Sequence, residues 1–171
     1  MNIVILNGSP NRDGNTSFLC SAFKKGAEES GHNVTEYNVA NMNIHGCTGC
    51  RYCRTEGNGK CIQRDDMDIV NENLNSAELV VLASPIYFWS ITGQLQSVIT
   101  RFYPHRKPIK ATKYALILSA ESGMAFDAAI TQYNDIIAYS GIENMGILKS
   151  YGYNQKSDSN FRKAYNFGKS I

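Results

Sequence analysis

No apolar run in this chain approaches the roughly 20 residues that cross a bilayer as a helix, which excludes a helical membrane span. The opening stretch MNIVILNGSP turns too soon to be a secretory signal, so a cytoplasmic protein is expected. Neither sign of charge dominates: 17 Lys and Arg against 15 Asp and Glu leave a net charge of +2. That balance argues against nucleic-acid binding and against a strongly acidic docking surface. Histidine is scarce, and His32, His45 and His105 are scattered, so none is read as a base or ligand. Two phosphate motifs are missing as well. Gly8 and Gly14 stand one residue too far apart for G-x-x-x-x-G-K-[ST], with Asn15 in the lysine's place, which excludes a triphosphate loop. No glycine lies two places after Gly8, which excludes the G-x-G-x-x-G dinucleotide fingerprint.

What is present is an ordinary globular composition, 43% hydrophobic and 19% charged over 171 residues, which reads as one domain spanning 1–171. Strand and helix patterns alternate throughout, without repeats or linkers. Strands are expected at Asn2 to Leu6, Val34 to Val39, Glu78 to Ala83, Tyr114 to Ser119 and Asn144 to Tyr151. Between them lie amphipathic stretches: Asn15 to Ser30; a helix capped by Asp65 and Asp66; the stripe Ile91, Leu95, Val98, Ile99, Phe102; and Phe126 to Ile137. A short last helix carries Phe161, Ala164 and Tyr165 after the polar turn QKSDS. Strict alternation specifies a parallel sheet with helices on both faces.

The stretch Gly8 to Ser17, GSPNRDGNTS, joins the first strand to the first helix and aims free helix N-terminal amides above the strand end. Rich in hydroxyls and amides and nearly neutral, it suits one terminal phosphate monoester, with Ser9, Asn15, Thr16 and Ser17 as side-chain donors. The bland alternative is a plain strand-to-helix turn capped by Asn15 or Thr16. An anion loop after the first strand selects the sheet order 2-1-3-4-5, a flavodoxin-like doubly wound α/β fold. Its switch point gathers three loops: Gly8 to Ser17, Ser84 to Trp89, and Ser119 to Gly123. In the second, Pro85 makes a rigid turn, the amides of the residues after it are placed to bond ring carbonyls, and Ile86, Tyr87, Phe88 and Trp89 offer a face for a flat apolar ligand. These aromatics alternatively cover the next helix or a subunit interface. In the third, Ser119, Glu121, Ser122 and Gly123 leave room for close approach to a ring.

Together these loops resemble the NAD(P)H-dependent flavin-reductase branch of the flavodoxin-like superfamily, over roughly Asn2 to Gly123. The residues carrying the resemblance are Gly8, Ser9, Pro10, Asn11, Gly14, Asn15 and Thr16, then Ser84, Pro85, Ile86 and Tyr87, then Gly93, Leu95 and Arg101. Asn11 stands where an arginine is common, and Thr100 where an acid often precedes Arg101. The resemblance implies that the first loop holds the phosphate of FMN, that the second lies against its isoalloxazine, and that NAD(P)H is the co-substrate.

Five cysteines, an odd number in a reducing compartment, point to thiol or metal chemistry rather than disulfides. Cys20 falls in the first helix and reads as a packed thiol. Cys47, Cys50, Cys53 and Cys61 are spaced C-x2-C-x2-C-x7-C within the aperiodic stretch Asn41 to Arg64. Thiolates at intervals of three wrap one face of a compact cluster, and a fourth completes the set. Zinc fits less well, because its sites favour two separated knuckles. The run resembles the compact motif of iron–sulfur flavoproteins, which implies a [4Fe-4S] cluster near FMN; an unliganded thiol-rich loop is the alternative. The basic run His105, Arg106, Lys107 with Lys110 and Lys113 reads as a solvated face.

Two functions follow. One is an oxidoreductase taking hydride from NAD(P)H and delivering electrons to a small acceptor such as a quinone, free flavin or nitro compound, with no catalytic side chain named. The other is an iron–sulfur electron carrier that docks on a ferredoxin-type partner. A flavin-free interaction protein that keeps only the fold is a third. Apolar surface around the aromatic and cysteine loops, with the family resemblance, predicts a homodimer.

Overall fold

The computed structural model describes the chain apart from positions 106, 107 and 109, so Arg106 and Lys107 of the basic run lie outside the described residues. The chain alternates β1 (Asn2–Asn7), α1 (Asn15–Glu29), β2 (Asn33–Asn38), α2 (Met67–Leu74), β3 (Leu79–Pro85), α3 (Gly93–Thr100), β4 (Lys113–Ala120), α4 (Asp127–Ser140), β5 (Glu143–Tyr151) and α5 (Asp158–Lys169). The strands form one parallel sheet in the order β2-β1-β3-β4-β5. The expected flavodoxin-like order is therefore the one found. Among the described residues no helix is long and apolar enough to cross a membrane.

Successive strand side chains point to opposite faces, and the two faces carry separate cores. Val4, Leu6, Val80, Leu82, Leu116 and Leu118 face one side, where they meet Val70 and Leu74 of α2, Leu95 and Val98 of α3, and Ala129 and Tyr133 of α4. Ile3, Ile5, Val81, Ala115 and Ile117 face the other, against Leu19, Phe23 and Ala27 of α1 and Ala164 of α5. β1, β3 and β4 are covered on both faces, which is why their runs are continuously apolar.

α5 is longer than the short cap expected from Phe161, Ala164 and Tyr165, because it lies along α1 rather than at the edge of the sheet. Two glycines set that contact. A Cβ on Gly26 would sit 2.0 Å from the Tyr165 carbonyl oxygen, and one on Gly168 would sit 2.0 Å from that of Phe23. Backbone meets backbone here, and Phe23 and Phe167 close the crossing edge to face at 5.3 Å. In an isolated helix Gly26→Ala would gain about 1 kcal/mol. Here it should instead cost about 2–3 kcal/mol, since only separation of the helices relieves the overlap. A urea midpoint that rises in this variant would show that the helices do not meet through Gly26.

Candidate functional site

The site is built at the carboxyl ends of β1, β3 and β4. Asn7, the last residue of β1, is fully buried and fixes the loop that follows. Its Oδ1 accepts from the Ser9 amide at 3.0 Å, and its Nδ2 donates to Ser17 Oγ at 3.1 Å and Glu36 Oε1 at 3.0 Å. Gly8 follows because nothing larger fits: a Cβ there would lie 2.6 Å from Thr92 Oγ1 and 2.7 Å from Leu95 Cβ. Thr92 uses the same closeness to donate to the Gly8 carbonyl at 2.8 Å while capping α3. The Asn11 carbonyl then gathers the Gly14 amide and the Ser9 and Ser17 hydroxyls, each at 3.0 Å. Gly14, at the N-cap of α1, supplies no side-chain cap, so the amides of the first turn remain free for a ligand.

The second loop is tighter than its sequence suggests. The amides of Ile86 and Tyr87, expected to serve ring carbonyls, are committed to Ser119 O at 2.7 Å and Ser90 O at 2.9 Å. Tyr87 and Ser90 bond each other both ways and enclose Phe88 at φ 48° and Trp89 at φ 65°. Two successive positive φ values normally select Asn-Gly, and each non-glycine residue held there costs on the order of 1–3 kcal/mol. Phe88 is nevertheless 92% exposed and touches the Trp89 ring edge to face at 5.3 Å. The protein holds two aromatics out on a strained turn.

A cavity of about 700 Å³ joins these loops, a size suited to a cofactor or small ligand. Ser9, Asn11, Asn15 and Thr16 line it from the first loop, Pro85 to Trp89 from the second, and Ser119, Glu121 and Ser122 from the third. Thr16 Oγ1 and Ser119 Oγ are 2.7 Å apart and buried, tying the first loop to the third. Ser17 and Gly123 do not line the cavity. The Ser17 hydroxyl is turned under the loop toward Asn7 and Asn11, and Gly123 packs against the Tyr151 ring.

A further wall comes from the turn between β5 and α5, where Gln155 and Lys156 were missed because QKSDS reads only as a polar turn. The available signal was topological, since every loop after a parallel strand rises on the same side of the sheet. Gln155 is 2% exposed, and its Nε2 donates to the Ala120 and Gly152 carbonyls at 2.9 and 2.8 Å, which fixes which end of the amide is oxygen. Its Oε1 is buried with no partner. An orphaned acceptor of this kind costs roughly 1–3 kcal/mol until a ligand or water donates to it. Free amides at one end and an exposed aromatic turn at the other fit a flat ring that carries a phosphorylated tail.

The cysteine loop is a second centre. Asp65 and Asp66, expected as helix caps, chiefly anchor it. Asp66 Oδ2 accepts from the Asn43 amide at 2.7 Å, and Asp65 Oδ2 accepts from the His45 amide at 3.0 Å and from Arg101 Nη1 at 2.6 Å. Arg101 also donates to the His45 carbonyl at 2.9 Å. Burial opposes ionisation of Asp65, but the Arg101 guanidinium and the His45 and Met67 amides outweigh it and hold the carboxyl below its usual range. Cys47, Cys50, Cys53 and Cys61 all line one small cavity with Thr100, Arg101 and Tyr103. Among the described residues no three His, Cys, Asp or Glu side chains are arranged to hold a single metal ion. All four are free thiols, and a multi-iron cluster is a group that takes one thiolate per iron. Cys53 is buried, and its thiol is pushed up by that burial and by Cys61, Cys47 and Cys50. Cys20 is fully buried in α1, away from this loop.

Comparison with known proteins finds relatives across the chain. The family model for NADPH-dependent FMN reductase matches residues 1–153. An iron–sulfur flavoprotein of Archaeoglobus fulgidus is 32% identical across all of this chain and 79% of its own length. Another, from Methanocaldococcus jannaschii, is 31% identical over 62% of this chain and 54% of its own length, so that alignment spans about half of the relative. Among solved structures, an NAD(P)H:quinone oxidoreductase from Methanothermobacter marburgensis superposes with a TM-score of 0.74 at 16% identity, covering 98% of this chain and 94% of the other. An archaeal flavodoxin gives a TM-score of 0.64 at 14% identity over 100% and 96% of the two chains. These two structural likenesses concern the fold.

The strained turn gives a test of its own. Phe88→Asn combined with Trp89→Gly should raise the unfolding free energy by at least about 1 kcal/mol while weakening affinity for a flat ring. A loss of stability in denaturant titration would mean that the turn is not strained.

Proposed function

The chain belongs to the NADPH-dependent FMN reductase family, and from that premise we propose that it moves electrons from NAD(P)H to a small acceptor such as a quinone, free flavin or nitro compound, with FMN in the cavity. Its general class is that of a flavin oxidoreductase. The reading rests chiefly on the cavity that runs from the free amides of α1 to the aromatic turn.

In this reading the first-turn amides of α1 and the Thr16 hydroxyl would hold the FMN phosphate, whereas the Ser9 hydroxyl, expected as a donor, is given to the Asn11 carbonyl. Pro85 and Ile86 would hold the ring, and the Phe88 and Trp89 amides at the tip of the turn would serve its carbonyls. Tyr87 and Trp89 border the space left for acceptor and nicotinamide, and Glu121 disfavours added negative charge beside the ring. When bound, FMN would supply both hydride and one-electron chemistry, so the protein need only bind, orient and exclude water.

A second reading is favoured by the four thiols that line one cavity. It is an iron–sulfur flavoprotein that exchanges electrons with a ferredoxin-type partner, Cys47, Cys50, Cys53 and Cys61 holding a [4Fe-4S] cluster. Free thiols suit a reducing cytoplasm, and the exposed aromatics Phe88, Trp89 and Tyr153 suit a homodimer.

Protein purified without oxygen should carry FMN and oxidise NAD(P)H when an acceptor is added. Flavin-replete protein with no such oxidation would sink the reductase reading. The same preparation should contain about four irons per chain. Cys53→Ala should lose the iron and keep the flavin, because the phosphate loop lies on a different connection. Flavin without iron in the anaerobic wild type would discard the cluster and the carrier together.

A further inference from the structure

Charge around the cavity is unevenly placed. Among the residues lining it, Asp13 and Glu121 are anions and Lys156 is the single cation. Arg12, the cation of the first loop itself, is exposed and absent from the wall. Lys156 reaches across from the turn after β5, and its ammonium donates to the Asp13 carbonyl at the edge of the anion loop.

The backbone that carries Lys156 is fixed, whereas its side chain is exposed. On one side of it Gln155 is clamped by the Ala120 and Gly152 carbonyls, and the Gln155 carbonyl accepts from Asn160 Nδ2 at 3.0 Å. On the other, Ser157 caps α5, its side chain accepting from the Asn160 amide. A rigid base with a flexible four-carbon stem lets a cation swing through a short arc. The Asp13 carbonyl is a neutral acceptor, and a phosphate oxygen bonded to an ammonium is a stronger one.

A phosphate monoester carries about −1.5 to −2 charges at neutral pH. The amides and hydroxyls of the first loop solvate that charge without neutralising it, and Asp13 adds repulsion. We propose that Lys156 is the cationic partner of the ligand's phosphate: its ammonium leaves the Asp13 carbonyl for a phosphate oxygen, so that the β5–α5 turn closes the phosphate end of the site. The proposal rests on the FMN reading of the cavity.

Titrating the full chain, freed of flavin, with FMN and with riboflavin separates the possibilities, flavin fluorescence being the readout. Lys156→Gln should weaken FMN binding at least tenfold, leave riboflavin binding unchanged and flatten the salt dependence of FMN affinity. Lys156→Arg should restore most of the loss. An unchanged FMN affinity in Lys156→Gln would overturn the proposal, and so would equal weakening of FMN and riboflavin, which would make Lys156 a prop for the turn. Wild-type protein that binds neither flavin would instead remove the FMN reading, and this proposal with it.

Discussion

The site depends on how closely the chain passes itself at the end of β1. Asn7 is buried with its carboxamide fully engaged, and Gly8 leaves no room for a side chain between β1 and the start of α3. That contact brings Thr92 onto the Gly8 carbonyl and so sets the position of α3 relative to the anion loop. α3 in turn carries Thr100 and ends at Arg101, which hold the Cys47 amide and Asp65. One close approach thus sets the geometry of both the large cavity and the cysteine loop. A larger residue at position 8 would displace both.

The architecture was legible because it rests on patterns that extend over whole elements. The continuous apolar runs of β1, β3 and β4 could only be strands covered on both faces, and the loop after β1 fixed the sheet order. The lining of the candidate site was legible where chemistry and topology coincided, as at Thr16 and Ser119. Where one residue had two plausible roles, sequence could not choose between them. Ser17 has the hydroxyl of a phosphate ligand but bonds Asn7 and Asn11, and Asp65 does bond the first amide of α2, as a cap would, but also pairs with Arg101. The Ile86 and Tyr87 amides were misjudged because their partners, Ser119 O and Ser90 O, follow from a turn that Phe-Trp would not be expected to form. Gln155 and Lys156 escaped because nothing local marks a polar turn as the lid of a distant loop.

The two centres also differ in how they are held. The large cavity is framed by strand ends and the sheet, so its walls inherit the rigidity of the core. The cysteine loop has little regular structure beyond the short turn Tyr52–Arg54 and relies on bonds from Asp65, Asp66, Thr100 and Arg101. The buried pair of Asp65 and Arg101 is costly to desolvate and serves chiefly to specify one arrangement of that loop.

The glycine crossing of α1 and α5 has a consequence for the order of assembly during synthesis. α1 presents the amides of the anion loop at one end, yet its flank is covered by a helix from the far part of the sequence. A contact so distant along the chain forms only once the whole of the intervening sequence has been made, and it is slow to close. On the ribosome, then, the first strand and helix wait with an apolar flank uncovered while the middle of the chain is made. α5, the last element made, is thus the one that completes the cover of α1.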